Sequence, residues 1–396
     1  MLVNSSLFSE LKLVSPQSII QILSVLLIAM MGAAVTTLMP LLVGAYTDSG
    51  LFTDAQVGWL TSADIAGTLI ASASAYFWSR KVNWRFVTIV STIIFITANW
   101  LTLSITSFES LFVTRLLAGM GCGAAYAISL AALGDYKKSE MAFSAMVTIQ
   151  VAFGTVGFWL LPSLIGDYGL AGIFQFFNVC LIPALIFCFI TYPNNQKRQD
   201  SLGLNIDGNL KAALYVFLGV VAYYFAQGTV WAYLERIGVA VNLSGAEIGE
   251  ILGIGFAISA LGSMLSGLYV GKWGRNSGLY LTAIIQAPCL VALYMMGENN
   301  AFWIYAIATI IYQVLWSFII PIMMAIFNDI DKSGKLIVLC VSAFKAGLVI
   351  GPPVAGLVVT YFHVKEVLWL GGVAIIAGVW ITVKANELIN SGNEYV

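Results

Sequence analysis

The sequence predicts an all-α membrane protein with twelve transmembrane helices arranged as two pseudo-symmetric six-helix halves. Of the 396 residues, 60% are hydrophobic and only 9% are charged, whereas soluble domains carry about 25% charged residues. Twelve apolar segments are each long enough to cross a bilayer, which takes about 20 residues. One longer hydrophilic stretch, residues 193–209, separates the sixth segment from the seventh.

The twelve segments are called spans one to twelve. Glycine, proline and charged clusters set their ends, because hydrophobic periodicity alone does not define them. The predicted limits are 18–46, 55–79, 86–106, 111–133, 141–165, 170–192, 210–234, 246–271, 278–297, 301–327, 336–362 and 366–383. The apolar run of span one exceeds the about 7–15 residues of a signal peptide, so we interpret it as a membrane span.

The hydrophilic stretch divides the chain into an N-terminal six-helix half (1–192), a cytoplasmic linker (193–209) and a C-terminal six-helix half (210–396). A shift of 191 residues superposes Lys81 on Lys272 and Pro162 on Pro353. A duplicated six-helix unit is a known plan for secondary transporters. All other loops are short, so no soluble catalytic, nucleotide-binding or sensor domain is predicted.

Lysine and arginine placement predicts that both termini are cytoplasmic. The outer loops then hold only Arg236 and Lys365, while Arg115 and Lys345 lie within spans. The cytoplasmic residues are Lys12, Arg80, Lys81, Arg85, Lys137, Lys138, Lys197, Arg198, Lys211, Lys272, Arg275, Lys332, Lys335 and Lys384. We expect a monomeric, multi-pass protein of the cytoplasmic (inner) membrane, embedded in the lipid bilayer.

Three motifs carry a resemblance to a known family. The stretch GLYVGKWGRNSG (267–278) keeps the loop-signature residues Gly267, Lys272, Gly274 and Arg275, with Gly271 where an aspartate is usual. The stretch RLLAGMGCGAA (115–125) has the form R-x-x-x-G-x-G, and GLVIGPPVAG (347–356) is a glycine-proline motif. Together they resemble the major facilitator superfamily. The short loops are similar to those of its bacterial sugar and drug efflux permeases.

The resemblance implies that spans one, four, seven and ten line a central cavity, and that the loop motif acts in the conformational change. The cavity residues it implies are Thr37, Arg115, Tyr126, Tyr223, Tyr224, Gln227, Trp231, Tyr312, Gln313 and Trp316. Aromatic rings and amides suit a semi-polar organic ligand. In span five, GTVGFWLLPSLIG (154–166) is a degenerate form of the motif that marks proton antiporters.

Two charges are predicted near the bilayer centre, Asp64 in span two and Lys345 in span eleven. A charge at that depth costs about 2.5–3.5 kcal/mol on an insertion scale. The resemblance places these spans together between the halves, so one hypothesis is an Asp64–Lys345 pair that opens and closes with them. The alternative is two charges that are satisfied independently. Arg115 has two interpretations also: a cavity cation, or a guanidinium held for structural reasons.

Other features indicate what the chain lacks. The sequence GLYVGKWG does not match a phosphate-binding loop, and the lone His363 and five scattered cysteines predict neither a metal site nor a disulfide framework. No basic tract suggests nucleic acid. We expect no cofactor and no enzymatic activity. Four charges near the outer ends of spans seven and eight are predicted to be solvated rim charges, with gate residues as the alternative: Glu235, Arg236, Glu247 and Glu250.

The sequence therefore predicts a secondary active transporter that moves a small organic solute or metabolite by alternating access, driven by protons. Asp64, Lys345 and Arg115 are the candidate coupling and gating residues. Two deep cations against one deep acid favour an anionic cargo slightly. The alternatives are a multidrug/proton antiporter for lipophilic compounds and, in a different class, a channel or receptor.

Overall fold

The computed structural model describes residues 16–136, 139–193, 210–330 and 337–393. Span one consists of three helices, Pro16–Met31, Ala34–Thr37 and Met39–Asp48. Spans two to twelve are Asp54–Trp78, Trp84–Thr102, Phe108–Gly134, Ser139–Tyr168, Leu170–Ile190, Leu210–Val239, Gly245–Trp273, Arg275–Met295, Ala301–Ile330, Ile337–Tyr361 and Glu366–Asn393, with a short 3-10 helix, Glu298–Asn300, before span ten. The predicted linker and seven of the predicted cytoplasmic cations lie outside the described residues: Lys12, Lys137, Lys138, Lys197, Arg198, Lys332 and Lys335.

The all-α architecture with twelve spans is confirmed. Spans three to twelve supply ten helices that are long and apolar enough to cross a membrane, and the apolar part of span one, Ile19–Met31, is shorter. Span two is equally long but contains Asp64 and several serine and threonine residues. Because twelve crossings bring both ends to one side, we call the side of Pro16 and Asn393 the terminal face and the opposite side the far face.

The 191-residue repeat recurs in the structure. Spans two and eight begin 191 residues apart, as do spans three and nine. The N-caps of spans two and eight are Thr53 and Ser244, again 191 apart, and each forms a capping box with the residue three positions later, Gln56 or Glu247. A capping box satisfies two backbone N–H groups that the helix leaves free. The corresponding helices of the two halves therefore begin with the same capping interaction.

Span one was predicted as continuous, and the structure shows it broken between Met31 and Met39. Pro40 is a physical reason, because proline has no N–H to donate to the carbonyl four residues earlier. That carbonyl belongs to Thr36, and the indole Nε1 of Trp231 in span seven donates to it at 3.0 Å. The break thus leaves a backbone carbonyl free to accept a hydrogen bond from the other half.

The halves also meet at two equivalent glycine-proline contacts. A Cβ added to Gly58 in span two would lie 2.3 Å from the Pro352 carbonyl oxygen, and one added to Gly249 in span eight would lie 2.3 Å from that of Phe158 and 2.6 Å from the Pro162 ring. Gly249 is Gly58 shifted by 191 residues. Spans two and eleven, and spans five and eight, therefore approach closely in their far-face halves.

Replacing Gly58 with alanine should force spans two and eleven apart. We expect the variant to lose about 1–3 kcal/mol of stability, as for other overpacked contacts. The distance between spin labels attached at Leu51 and Asn299, on far-face loops of the two halves, should increase. Gly166→Ala is the control, because nothing lies within 4 Å of an added Cβ there. An unchanged label distance in Gly58→Ala would show that this contact does not hold the far face closed.

Candidate transport cavity and buried charge network

A cavity of about 410 Å³ lies between the two halves. Seven of the ten predicted cavity residues line it, together with Thr36: Thr37, Tyr224, Gln227, Trp231, Tyr312, Gln313 and Trp316. These residues come from spans one, seven and ten, three of the four spans that the family resemblance implied, whereas span four contributes none of the described lining residues. Arg115, Tyr126 and Tyr223 do not belong to the lining.

Spans five and eight also line the cavity, which the sequence reasoning missed. Span five contributes Val147, Gln150 and Val151, and span eight contributes Phe256, Ser259, Ala260 and Ser263. Gln150 carried a usable signal, because it is an amide within an apolar stretch. Its Nε2 donates to the carbonyl of Ala29 at 3.0 Å. None of the lining residues is charged.

The C-terminal half provides a cluster of polar atoms without hydrogen-bond partners. Within the described part of the chain, the side-chain amide atoms Nε2 and Oε1 of Gln313, Nε2 of Gln227 and the hydroxyl of Tyr312 are buried and unbonded. Buried polar groups are normally paired, so such a cluster on a cavity wall points to ligand binding. Tyr223 differs, because its hydroxyl donates to Gln286 at 3.1 Å behind the cavity wall.

Aromatic rings border the cavity between spans five, seven and eight. The Trp231 ring stacks on Phe256 with a centroid distance of 6.5 Å, and Phe158 meets Trp231 edge-on at 5.8 Å. Phe158 is fully buried. These contacts join the two halves on the far-face side of the cavity.

Charged residues close the far face beyond these rings. Arg236 in span seven donates to both oxygens of Asp48 in span one, at 2.6 and 3.0 Å, and to Glu235 at 2.6 Å. The prediction that Glu235 and Arg236 are solvated rim charges is therefore wrong, because Glu235 is 7% exposed and Arg236 bridges the halves. Glu250 is exposed, as predicted, while Glu247 is half-buried and accepts hydrogen bonds from the backbone and side chain of Ser244 in the capping box.

At the terminal face, the ion pairs among the described residues stay within one half. Arg80 and Asp135 join spans two and four at 2.6 Å, while Arg275 and Asp329 join the start of span nine to the end of span ten. Among the described residues, the ion pair between the halves therefore lies at the far face, while the Lys345–Ser72 hydrogen bond joins them nearer the terminal face. The cavity includes Val147 in span five and Pro321 in span ten, which lie on its terminal-face side. The far face is thus closed by an ion pair and ring contacts between the halves, and the cavity extends toward the terminal face.

Asp64 and Arg115 form a bidentate ion pair inside the N-terminal half. Arg115 Nη2 and Nε donate to the two Asp64 oxygens at 2.6 and 2.9 Å, and both side chains are almost completely buried. Arg115 Nη1 also donates to Asn99 at 2.9 Å and Thr102 at 3.2 Å. The guanidinium lies 4.5 Å from the centre of the Phe174 ring. Both charges are therefore compensated without the solvent.

Close backbone contact between spans two and four makes this pair possible. Cβ atoms added to Gly67 and Gly119 would lie 2.1 Å from the carbonyl oxygens of Leu116 and Asp64, respectively. Only glycine permits such an approach. The approach brings Asp64 within reach of Arg115, which is one helical turn from Gly119.

The hypothesis of an Asp64–Lys345 pair is not met in this conformation, because Arg115 occupies both Asp64 oxygens. Lys345 instead donates to the Ser72 hydroxyl at 3.3 Å, and its ammonium lies 5.4 Å from the centre of the Tyr126 ring.

Arg115, expected in the cavity, points into the N-terminal half toward Asp64. Of its two interpretations, the structure shows the bound guanidinium, with side-chain rather than carbonyl partners.

Comparison with known proteins fits this geometry. A family model described as Major Facilitator Superfamily matches residues 22–330 and 216–391. The chain belongs to this superfamily. It is therefore a multi-pass membrane transporter and not an enzyme. Comparison with curated protein sequences gave no match.

Three solved structures show the major facilitator fold. A bacterial homologue of the human lysosomal transporter Spinster, inward-facing and unoccupied, has a TM-score of 0.71 at 16% identity and covers 95% of this chain and 96% of its own. The nucleoside transporter NupG has a TM-score of 0.75 at 13% identity (92% and 98% covered). A D-xylose-proton symporter has a TM-score of 0.68 at 16% identity (92% and 96% covered). At these identities the likeness concerns the fold alone.

The loop motif of the superfamily lies between spans eight and nine. Gly274 has φ +80°, a conformation that favours glycine, and it ends span eight. Lys272 places its ammonium 4.6 Å from the centre of the Trp273 ring. Arg275 makes the ion pair with Asp329, and Gly267 has open space beside it. The role of this motif in conformational change stays a prediction.

A double-mutant cycle should show which residue Asp64 contacts. Asp64→Ala and Arg115→Ala should each destabilise the protein by about 3–5 kcal/mol, because each leaves a buried charge alone. The double variant should lose clearly less than the sum. Asp64→Ala combined with Lys345→Ala should be additive within about 0.5 kcal/mol. Denaturant unfolding of the purified protein measures all these values, and additivity in the first pair would contradict the structure.

Two buried glutamines should respond oppositely to replacement by methionine. Gln313→Met removes unpaired amide atoms and should raise the unfolding free energy by about 1–3 kcal/mol. Gln286→Met is the matched control, because Gln286 accepts from Tyr223 and donates to the Tyr312 carbonyl at 3.0 Å. Its loss should lower stability by a similar amount. Thermal unfolding of the two variants without solute tests the difference. Destabilisation by both would mean that Gln313 is already bonded.

Proposed function

We propose that this protein is a secondary active transporter of a small polar organic solute, working by alternating access and coupled to protons. The observation that carries the proposal is the uncharged cavity between the halves, with its unpaired Gln227, Tyr312 and Gln313 atoms, closed at one face. Its size falls within the range of about 300–1,000 Å³ that is usual for small-molecule sites.

The distribution of positive charge supports an orientation with the terminal face in the cytoplasm. The conformation described above is then inward-facing. Transport requires the far-face contacts to open and the terminal face to close, by rocking of the two halves about the cavity. The Asp48–Arg236 ion pair would break in that step. Resemblance to efflux permeases favours export as the direction.

Asp64 is the residue that we assign to proton coupling. It is the carboxylate buried in the middle of a span, and protonation would remove its attraction for Arg115. The guanidinium would keep Asn99, Thr102 and the Phe174 ring as partners. The ion pair can therefore open without leaving Arg115 unbonded. That one solved structure of this fold is a D-xylose-proton symporter supports proton coupling as a proposal.

A multidrug antiporter is the second candidate, since Trp231, Phe256 and Trp316 would also hold a lipophilic compound. Two observations favour a polar solute. An apolar ligand would remove water from the unpaired amide and hydroxyl atoms of the C-terminal wall without giving them hydrogen bonds, which costs free energy. Asp64 is bound by Arg115, so it offers no free carboxylate for a lipophilic cation.

Proteoliposomes containing a pH-sensitive dye would test coupling without ATP. Adding members of a solute panel of sugars, nucleosides and organic acids should produce a solute-dependent change of internal pH in the wild type. In Asp64→Asn this pH signal should be lost, because the amide mimics the protonated acid. Exchange of the radiolabelled solute that gave the signal should persist in this variant. A strict ATP requirement, or an unchanged pH signal in Asp64→Asn, would contradict the proposal.

A further inference from the structure

We infer that Lys345 is an anion-binding residue at the edge of the cavity, and that the transported solute carries a carboxylate or phosphate group. This inference rests on the proposed transport function and names its substrate class. It starts from the charges in the membrane interior. Asp64 and Arg115 neutralise each other, which leaves the ammonium of Lys345 as an uncompensated positive charge.

Lys345 has no carboxylate partner among the residues that the structure describes. Its hydrogen-bond partner is the Ser72 hydroxyl at 3.3 Å, and its neighbours include the face of the Tyr126 ring at 5.4 Å and the Cys122 thiol. A hydroxyl and a ring face compensate a buried ammonium weakly compared with a carboxylate. The site therefore offers a cation without a paired anion, and an anionic ligand would complete the ion pair.

The ammonium lies next to the cavity. Leu348 lines the cavity, and it is three residues beyond Lys345 in the same helix, so the two share one helical face. Tyr126 neighbours Gln150, which also lines the cavity. The Lys345 side chain is partly exposed, not sealed like Arg115. Since it lies toward the terminal face, a solute entering from that side in this conformation meets it.

The cavity can bind the remainder of such a solute. The described lining residues carry no charge that would repel an anion, and the side chains of Gln227, Gln313 and Tyr312 offer hydrogen-bond donors. Donor groups on one wall and an ammonium at the edge complement a molecule with a polar body and one acidic group. An uncharged solute would leave Lys345 uncompensated, and a cationic solute would be repelled by it.

The test uses four pairs of probes that differ in one acidic group: benzoate and benzamide, D-glucuronate and D-glucose, glycerol 3-phosphate and glycerol, and uridine 5′-monophosphate and uridine. Binding to the purified full-length protein in phosphatidylcholine nanodiscs is measured by thermal shift and calorimetry. At least one anionic probe should bind about tenfold more tightly than its neutral partner. In Lys345→Met this preference should disappear, while the affinity of the neutral partner changes less than about twofold.

Two control variants isolate the charge of Lys345. Lys345→Arg keeps the positive charge and should retain most of the preference. Lys384→Met removes a lysine that is exposed and paired with Glu387, and should leave both affinities unchanged. A second set of nanodiscs containing phosphatidylglycerol distinguishes a soluble anion from a lipid headgroup. Anion affinity should be the same in both lipids, whereas strong competition by the anionic lipid would overturn the assignment to a solute.

The remaining outcomes separate this inference from the proposed function. Neutral probes that bind as tightly as their anionic partners, or an anion preference that survives Lys345→Met, would overturn the role of Lys345. Transport of a neutral solute would then still stand. If neither the anionic nor the neutral probes bind, the result would contradict both the substrate class and the proposed cavity.

Discussion

Carbonyl oxygens released by prolines join the two halves of this protein, and the conformation depends on them. A proline within a helix leaves the carbonyl four residues earlier without its N–H partner. Pro40 releases Thr36, which accepts from Trp231, and Pro353 releases Val349, which accepts from Ser62 at 2.7 Å. Pro162 releases Phe158, against whose oxygen Gly249 packs. In each case the released oxygen meets the opposite half, and the oxygens of Thr36 and Val349 accept hydrogen bonds there that replace the missing helical ones.

The two halves share this architecture but stabilise their interiors differently. The N-terminal half holds an ion pair, Asp64 with Arg115, surrounded by amides and a hydroxyl. The C-terminal half uses the uncharged Gln286, which binds Tyr223 and the backbone of Tyr312. Both halves contain buried polar atoms without partners, but those on the described cavity-lining residues belong to the C-terminal half, on Gln227, Tyr312 and Gln313. A solute would thus be recognised mainly by one half, while the charge network that could respond to protons belongs to the other.

The sequence predicted the spans, their pairing at a 191-residue shift, and the cavity residues of spans one, seven and ten. It identified Asp64, Arg115 and Lys345 as deep charges, but depth does not determine which helix a side chain faces. The partner of Asp64 is determined by the close backbone approach at Gly67 and Gly119, which brings span four against span two. Hydrophobic periodicity also gave no indication of the break in span one, although Pro40 is visible in the sequence as a possible signal. The contribution of spans five and eight to the cavity arises from their contact across the halves, which no local pattern encodes.

The lone charge of Lys345 has an electrical consequence. While Asp64 is ionised the Asp64–Arg115 pair is neutral, so its movement with the N-terminal half transfers no net charge, whereas Lys345 belongs to the C-terminal half and carries one. Moving an elementary charge through the full membrane potential is worth about 2.3 kcal/mol per 100 mV. A voltage that is negative at the terminal face would hold the empty carrier in states that keep Lys345 close to that face. With Asp64 ionised, a carrier loaded with a monovalent anion would be indifferent to the voltage, and the membrane potential would act on the return of the empty protein. Protonation of Asp64 would add one positive charge to whichever step carries the proton.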